Sequence, residues 1–226
     1  MSSLRLFSEW TEEPGSTILL LSLVCAVLFW VNVRSPPNLF RTTAKTAATA
    51  LLAVLSATRH GPVLLSLALA LGAAGDAFLA WSEGDTAFLG GLSSFLVAHL
   101  VYIKLFLQVG GGTSLFLAET WRVSLAVAMG LVAPLMNVLL MPRVSRSLKV
   151  PVAVYSVAIF IMFLSVLTVA NQLVVCGALL FTTSDVILAS DRFLVPAEAA
   201  YRPLMQYAVW ALYYSGQLLI AVGFAY

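Results

Sequence analysis

The chain has 226 residues, of which 61% are hydrophobic and 10% charged, with a mean hydropathy of +0.99 and a formal charge of +2 at pH 7. A water-soluble domain is about half apolar and about a quarter charged, so this composition excludes an ordinary soluble protein and leaves no room for a soluble catalytic domain. The small net charge and the lack of a basic tract speak against nucleic acid as a partner and favour lipids.

The predicted fold is all-α: a polytopic membrane protein forming one transmembrane domain over residues 1–226. A short tail, residues 1–16, comes first; its Glu9, Glu12 and Glu13 against Arg5 are the wrong charge for the start of a secretory signal peptide, so the first apolar segment is expected to be retained. Eight apolar segments follow, at 17–33, 39–58, 62–82, 86–108, 121–141, 149–169, 171–190 and 203–225, each close to the ~20 residues that cross a bilayer. Gly110, Gly111 and Gly112 mark a flexible break between the fourth and fifth. Cys25 and Cys176 stand singly in apolar runs and predict no disulfide.

Even spans place both termini on one side. Arg34, Arg41, Arg143, Arg146, Lys149, Arg192 and Arg202 gather at the odd-numbered loops, against Arg5, Arg59 and Arg122, with Lys104 inside the end of span four. The positive-inside rule then puts the odd-numbered loops in the cytoplasm. A short repeat, Gly75-Asp76-Ala77-Phe78-Leu79-Ala80 in span three and Ser184-Asp185-Val186-Ile187-Leu188-Ala189 in span seven, suggests two four-helix halves.

Ionisable groups inside a bilayer are costly and are functional candidates by default. Asp76 lies six residues before Ser82, or ~9 Å from the cytoplasmic end, and Asp185 lies six before Asp191. Lys45 is four residues past Arg41, ~6 Å in, and Tyr155 is six past Lys149. These residues come from different spans and reach similar depth, with His99, Tyr213, Tyr214 and Gln217 deeper. A polar chamber open to the cytoplasmic side accounts for them. Plainer readings exist for each: Lys45 can snorkel, the aspartates can be interhelical hydrogen-bonding groups, and His99 with Tyr102 can be satisfied core residues. Glu83, Asp85, Asp191 and Glu198 fall in predicted loops and are expected to be solvated.

Gly-x-Ser-x-Gly is absent and no cysteine lies near a histidine in sequence, which disfavours acyl-enzyme chemistry. Only His60 and His99 are available for metal binding; no metal site is expected, with zinc on Asp76, Asp185 and His99 the alternative. Two carboxyl groups in one chamber suit general acid and base catalysis with water.

Gly75-Asp76-Ala-Phe-Leu, then Phe88-x-x-Gly91-x-x-x-Phe95-x-x-x-His99-x-x-Tyr102, then Phe181-x-x-Ser184-Asp185-x-x-Leu188-Ala189 with Arg192-Phe193, then Tyr213-Tyr214-x-x-Gln217-x-Leu-Ile, resemble the YhhN-type lysoplasmalogenases over residues 39 to 222. Any one piece is weak; the ordered set is specific. One departure is that Thr46, Ala47 and Ala48 follow Lys45, where many members soon place a proline.

The resemblance implies an eight-span enzyme of the lipid membrane, in the endoplasmic reticulum of a eukaryote or the inner membrane of a bacterium. It would need no cofactor. It would hydrolyse the vinyl ether bond of a lysophospholipid substrate, lysoplasmalogen, releasing a fatty aldehyde and glycerophosphoethanolamine or glycerophosphocholine. The family's polar positions fall on Lys45, Asp76, His99, Tyr102, Ser184, Asp185, Tyr214 and Gln217. With Asp76 and Asp185 as catalytic residues, Lys45, His99, Tyr102, Tyr155, Ser184, Arg192, Tyr213, Tyr214 and Gln217 are the expected substrate-binding set. The competing classes are a non-catalytic lipid or small-molecule transporter, which should carry polar residues in both leaflets, and a structural or receptor-like membrane protein.

Overall fold

Long apolar runs broken by Pro, Gly and polar residues give helices joined by short turns, since a chain in lipid must pair its backbone polar groups internally. The computed structural model describes residues 14–225, so Arg5, Glu9, Glu12 and Glu13 of the tail lie outside the described residues. Among those described there are nine α-helices and no strand. They are α1 (Pro14–Val31), α2 (Leu39–Thr58), α3 (Val63–Trp81), α4 (Asp85–Val109), α5 (Gly112–Ala118), α6 (Thr120–Leu140), α7 (Arg146–Val166), α8 (Gln172–Phe193) and α9 (Arg202–Ala225).

Six of these, α3, α4 and α6 to α9, are long and apolar enough to cross a membrane. Helix α1 is apolar over the shorter stretch Gly15–Val31, and α2 carries Arg41, Lys45 and several threonines. Each expected apolar segment coincides with a helix, and two differences stand out. The predicted flexible break at Gly110 to Gly112 leads straight into the short helix α5, anchored where Gly111 N–H donates to Thr168 O at 2.7 Å. The seventh segment, expected to stop at 190, continues to Phe193. Asp191 is therefore helical and only 9% exposed, paired with Arg202, and not solvated in a loop as the sequence predicts.

Helices α1 to α4 pack consecutively side by side, and α8 lies closely along α9. The two groups meet where α9 packs on α2, and α7 packs against α4. Gly177 and Gly216 set the α8–α9 approach: a Cβ added at either would sit 2.7 Å from the other's carbonyl oxygen. Small residues at a membrane helix interface allow this backbone proximity. Gly75 does the same between α3 and α4, where a Cβ would meet the Phe95 ring at 2.6 Å.

Helix α6 is held differently. Its buried residues are Arg122 and Leu140 at its ends and Met129 between them. Arg122, which the sequence places among loop cations, is 1% exposed. Its guanidinium pairs with Glu119 at 2.8 Å and donates to Leu167 O at 2.8 Å and Val169 O at 2.7 Å, covering orphan carbonyls at the end of α7.

Gly216→Val should force α8 and α9 apart and destabilise the fold by about 1–3 kcal/mol or more, read as a lower thermal unfolding midpoint in detergent, while Gly130→Ala, where an added Cβ meets nothing within 4 Å, should leave that midpoint within a degree or two of the parent.

Candidate active site

Residues spaced by four lie on one helical face. On α2 this spacing aligns Arg41, Lys45 and Thr49; Gly72 and Asp76 align on α3, and Phe95 and His99 on α4. These faces, with α8 and α9, enclose a cavity of about 520 Å³ whose mouth includes Arg34 and Ser35, Ser82 and Glu83, and Ala197, from three loops at one end of the bundle. Both Asp76 and Asp185 line it.

Asp76 is 1% exposed and held by three donors from two neighbouring helices, α2 and α9. Its Oδ2 accepts from Thr49 Oγ1 at 2.8 Å and Tyr213 OH at 2.7 Å, while Lys45 Nζ lies 3.3 Å from Oδ1. A cation and two hydroxyls together are the surroundings of an ionised carboxylate. Phe29 of α1 packs under the cations, 5.6 Å from both Arg41 and Lys45.

Asp185 has a sparser shell. Tyr155 OH donates to its Oδ2 at 3.1 Å, and His99 Nε2 lies 3.6 Å from the same oxygen. The other ring nitrogen of His99 is 2.6 Å from Phe95 O. A carbonyl can only accept, so Nδ1 carries a hydrogen and, in the neutral ring, Nε2 presents a lone pair to Asp185. At 3.6 Å the two atoms make no hydrogen bond, and Nε2 has no other hydrogen-bond partner among the described residues. The ring is fixed by Phe181 and Tyr155, whose centroids are 5.0 Å and 5.1 Å away.

The remaining expected binding residues divide. Ser184 and Arg192 line the cavity; Ser184 donates to Val209 O at 2.9 Å, tying α8 to α9, and Arg192 pairs with Asp85 at 2.7 Å, which anchors α4's first residue to the end of α8. Tyr213 lines the cavity and Tyr214 does not, because adjacent residues point about 100° apart on a helix. Tyr214 OH lies 2.7 Å from Ser22 Oγ, which donates to Ala48 O, so this tyrosine clips α9 to α1 and α2. Tyr102 donates to Gln217 Oε1 at 2.6 Å, away from the cavity lining. Among the described residues no three His, Cys, Asp or Glu side chains converge as metal ligands would, so Asp76 does not join Asp185 and His99 in the ligand set considered from sequence.

Thr49 and Phe29 are components that the sequence reading missed. Thr49 was detectable as the third polar residue of the Arg41, Lys45 row. Phe29 carried no signal, since a phenylalanine in an apolar segment is indistinguishable from its neighbours.

Long apolar helices around a chamber lined by two buried carboxyl groups, one 3.3 Å from a lysine and one 3.6 Å from a histidine, are the architecture of an integral membrane protein. The chain belongs to the YhhN family, whose profile matches residues 40–224. It is 32% identical over 160 residues to proteins named lysoplasmalogenase from Mycobacterium bovis and Mycobacterium tuberculosis, the match covering 70% of this chain and 58% of each relative. It is also 32% identical over 163 residues to Lysoplasmalogenase TMEM86B of Homo sapiens, covering 70% of this chain and 62% of that protein. The matched region thus spans less than two thirds of the length of these relatives. No solved structure matches.

Removing one member of a buried ion pair strands the other charge at a cost of about 3–5 kcal/mol. Lys45→Met should therefore lower the unfolding midpoint markedly, and Lys45→Met combined with Asp76→Asn should recover most of the loss in a double-mutant cycle. Equal, additive losses would show that the pair is not coupled.

Proposed function

We propose that the chain hydrolyses the vinyl ether bond of lysoplasmalogen, releasing a fatty aldehyde and glycerophosphoethanolamine or glycerophosphocholine, with Asp76 and Asp185 as its acid–base pair. The observation that carries this reading is that both carboxylates line one chamber yet are held in different ways, Asp76 by a cation and two hydroxyl donors and Asp185 by one hydroxyl, with a histidine nitrogen 3.6 Å away. The kinship with proteins named lysoplasmalogenase supports the substrate class.

A vinyl ether is an enol ether, and its carbon beta to oxygen is nucleophilic. Asp185, in its protonated form, delivers its proton to that carbon, and the carbon–carbon double bond electrons form the new C–H bond. The positive charge left behind is spread over the adjacent carbon and oxygen as an oxocarbenium ion. Asp76, kept ionised by Lys45, Thr49 and Tyr213, stabilises this cation and accepts a proton from the water that captures it. The resulting hemiacetal collapses, its hydroxyl proton passing to the departing alkoxide oxygen, to give aldehyde and alcohol. One water is consumed and the acid is restored when the proton taken by Asp76 returns to Asp185 through the chamber. A preorganised pair of this kind needs no cofactor.

In this reading α1 and α2 also cross the bilayer, giving eight spans. The chamber mouth faces the cytoplasm, as the excess of Arg and Lys near the loops at that end favours, in the endoplasmic reticulum of a eukaryotic host or the inner membrane of a bacterial one. The substrate phosphate sits at the mouth near Arg41, whose Nε has no hydrogen-bond partner among the described residues, and Arg192 is already engaged by Asp85.

Purified protein incubated with lysoplasmalogen and with its saturated-ether analogue should release aldehyde from the former alone. Asp76→Asn and Asp185→Asn should each lower turnover per folded molecule by about 10²–10⁴, with helical content retained and the unfolding midpoint of Asp76→Asn also lowered because Lys45 is stranded. Near-normal turnover by both single variants would defeat the acid–base assignment, and cleavage of the saturated ether would defeat the enol-ether chemistry.

A further inference from the structure

A second space opens beside the chamber. It is a slot of about 80 Å³ between α4, α6, α7 and α8, lined by hydrocarbon apart from Tyr155, Ser156 and Asp185. Its wall on α6 is formed by Met129, Ala133 and Met136, and Val152 and Ile159 of α7 face them. The slot and the polar chamber share Leu79, Phe88, Phe95, Leu188 and Asp185. One carboxylate thus belongs both to a polar space with a cationic mouth and to an apolar one.

The outer side of the slot is thin. Val132 lines it while remaining 38% exposed, and its neighbours Leu131 and Leu135 are 70% and 56% exposed. Helix α6 is fastened near its ends, by Arg122 to the α7–α8 turn and by Leu140 to Val144, Leu148 and Val152. Between these anchors Gly130 has open space around it, and Pro134 deprives the Gly130 carbonyl of its helical donor, which favours bending there.

We infer that this slot receives the hydrocarbon chain of the lipid substrate, entering sideways from the bilayer past the middle of α6, and that Ala133 and Met136 set the chain length accepted. This rests on the function proposed above. A lysolipid is polar at one end and apolar at the other, with its vinyl ether between them. Two spaces of opposite character that meet at Asp185 match that order: headgroup in the chamber, chain in the slot, reacting bond at the junction. Methionines suit a wall that must accommodate a flexible chain, being unbranched and adaptable. The slot is too small for a whole chain, so the far methylenes extend between α6 and the surrounding lipid.

Each buried methylene contributes about fourfold in affinity. In Ala133→Phe the slot is filled where the chain passes, and the preference in kcat/KM for long over short alkenyl chains should fall at least about tenfold, whereas Met136→Ala should shift the preference towards longer chains. Because each variant is read as a ratio between substrates, a reduced yield of folded protein does not alter the result. An unchanged chain-length profile in both variants would overturn the inference. A second arm needs no turnover. A lysolipid with a saturated ether and a diazirine in its hydrocarbon chain is photolysed with the full-length protein in nanodiscs, with and without excess unlabelled analogue. Competitor-sensitive labelling should fall on the segments 129–136 and 152–159 and diminish in Ala133→Phe; labelling that the competitor displaces only from other helices would refute the slot. Wild-type protein that labels in the slot but cleaves no vinyl ether would overturn the proposed reaction and leave the binding site standing.

Discussion

A carboxylate withdrawn from water into a helix bundle is stable only if its charge is answered, and the architecture is arranged around that demand at Asp76. The charge on α3 is met by Lys45 and Thr49 from α2 and by Tyr213 from α9. Those three helices are thereby fixed in mutual register, and α8 follows because it packs backbone to backbone on α9 at Gly177 and Gly216. Desolvation costs several kcal/mol per ion, so the ion pair is not a free source of stability. Its effect is to specify one arrangement of helices and to leave the chamber between them polar.

The second carboxylate sits at a similar place on its helix and is given quite different partners. Asp185 has neither a lysine nor a threonine beside it; its neighbours are a tyrosine hydroxyl and the lone pair of a histidine whose hydrogen is committed to Phe95 O. The short repeat that places an aspartate near the same end of α3 and α8 thus ends in two unlike sites. What distinguishes them is supplied by α2 and α9 for one and by α4 and α7 for the other, outside the repeated hexapeptides.

The helices were legible in the sequence because apolar runs of bilayer length bounded by Pro, Gly and charge have few alternatives, and the aspartates were legible because carboxyl groups are rare in such runs. Side-chain partners were not. Tyr213 and Tyr214 are equivalent as letters, and only the azimuth of α9 assigns one to Asp76 and the other to Ser22. Tyr102 and Gln217 satisfy each other across α4 and α9, a pairing 115 residues apart in the chain. Asp191 looked like a loop residue because Asp-Arg ends an apolar run, but its pairing with Arg202 allows α8 another turn. The short helix α5 was hidden by glycines that read as a break, and one of them instead anchors it to the α7–α8 turn.

Helix α1 lies before residue 40, where the family match begins, yet Phe29 and Val33 form part of the chamber wall and Trp210 of α9 donates to Ala26 O at 3.1 Å. A chain started at residue 40 would keep both aspartates, Lys45, His99 and every tyrosine named above, and would lose the panel that separates Lys45 from the surrounding membrane. The ammonium–carboxylate pair would then be open from the side as well as from the mouth. The first helix thus acts as a side wall, and trimming the protein to its recognisable family core would unroof the compartment on that side while sparing Lys45 and both aspartates.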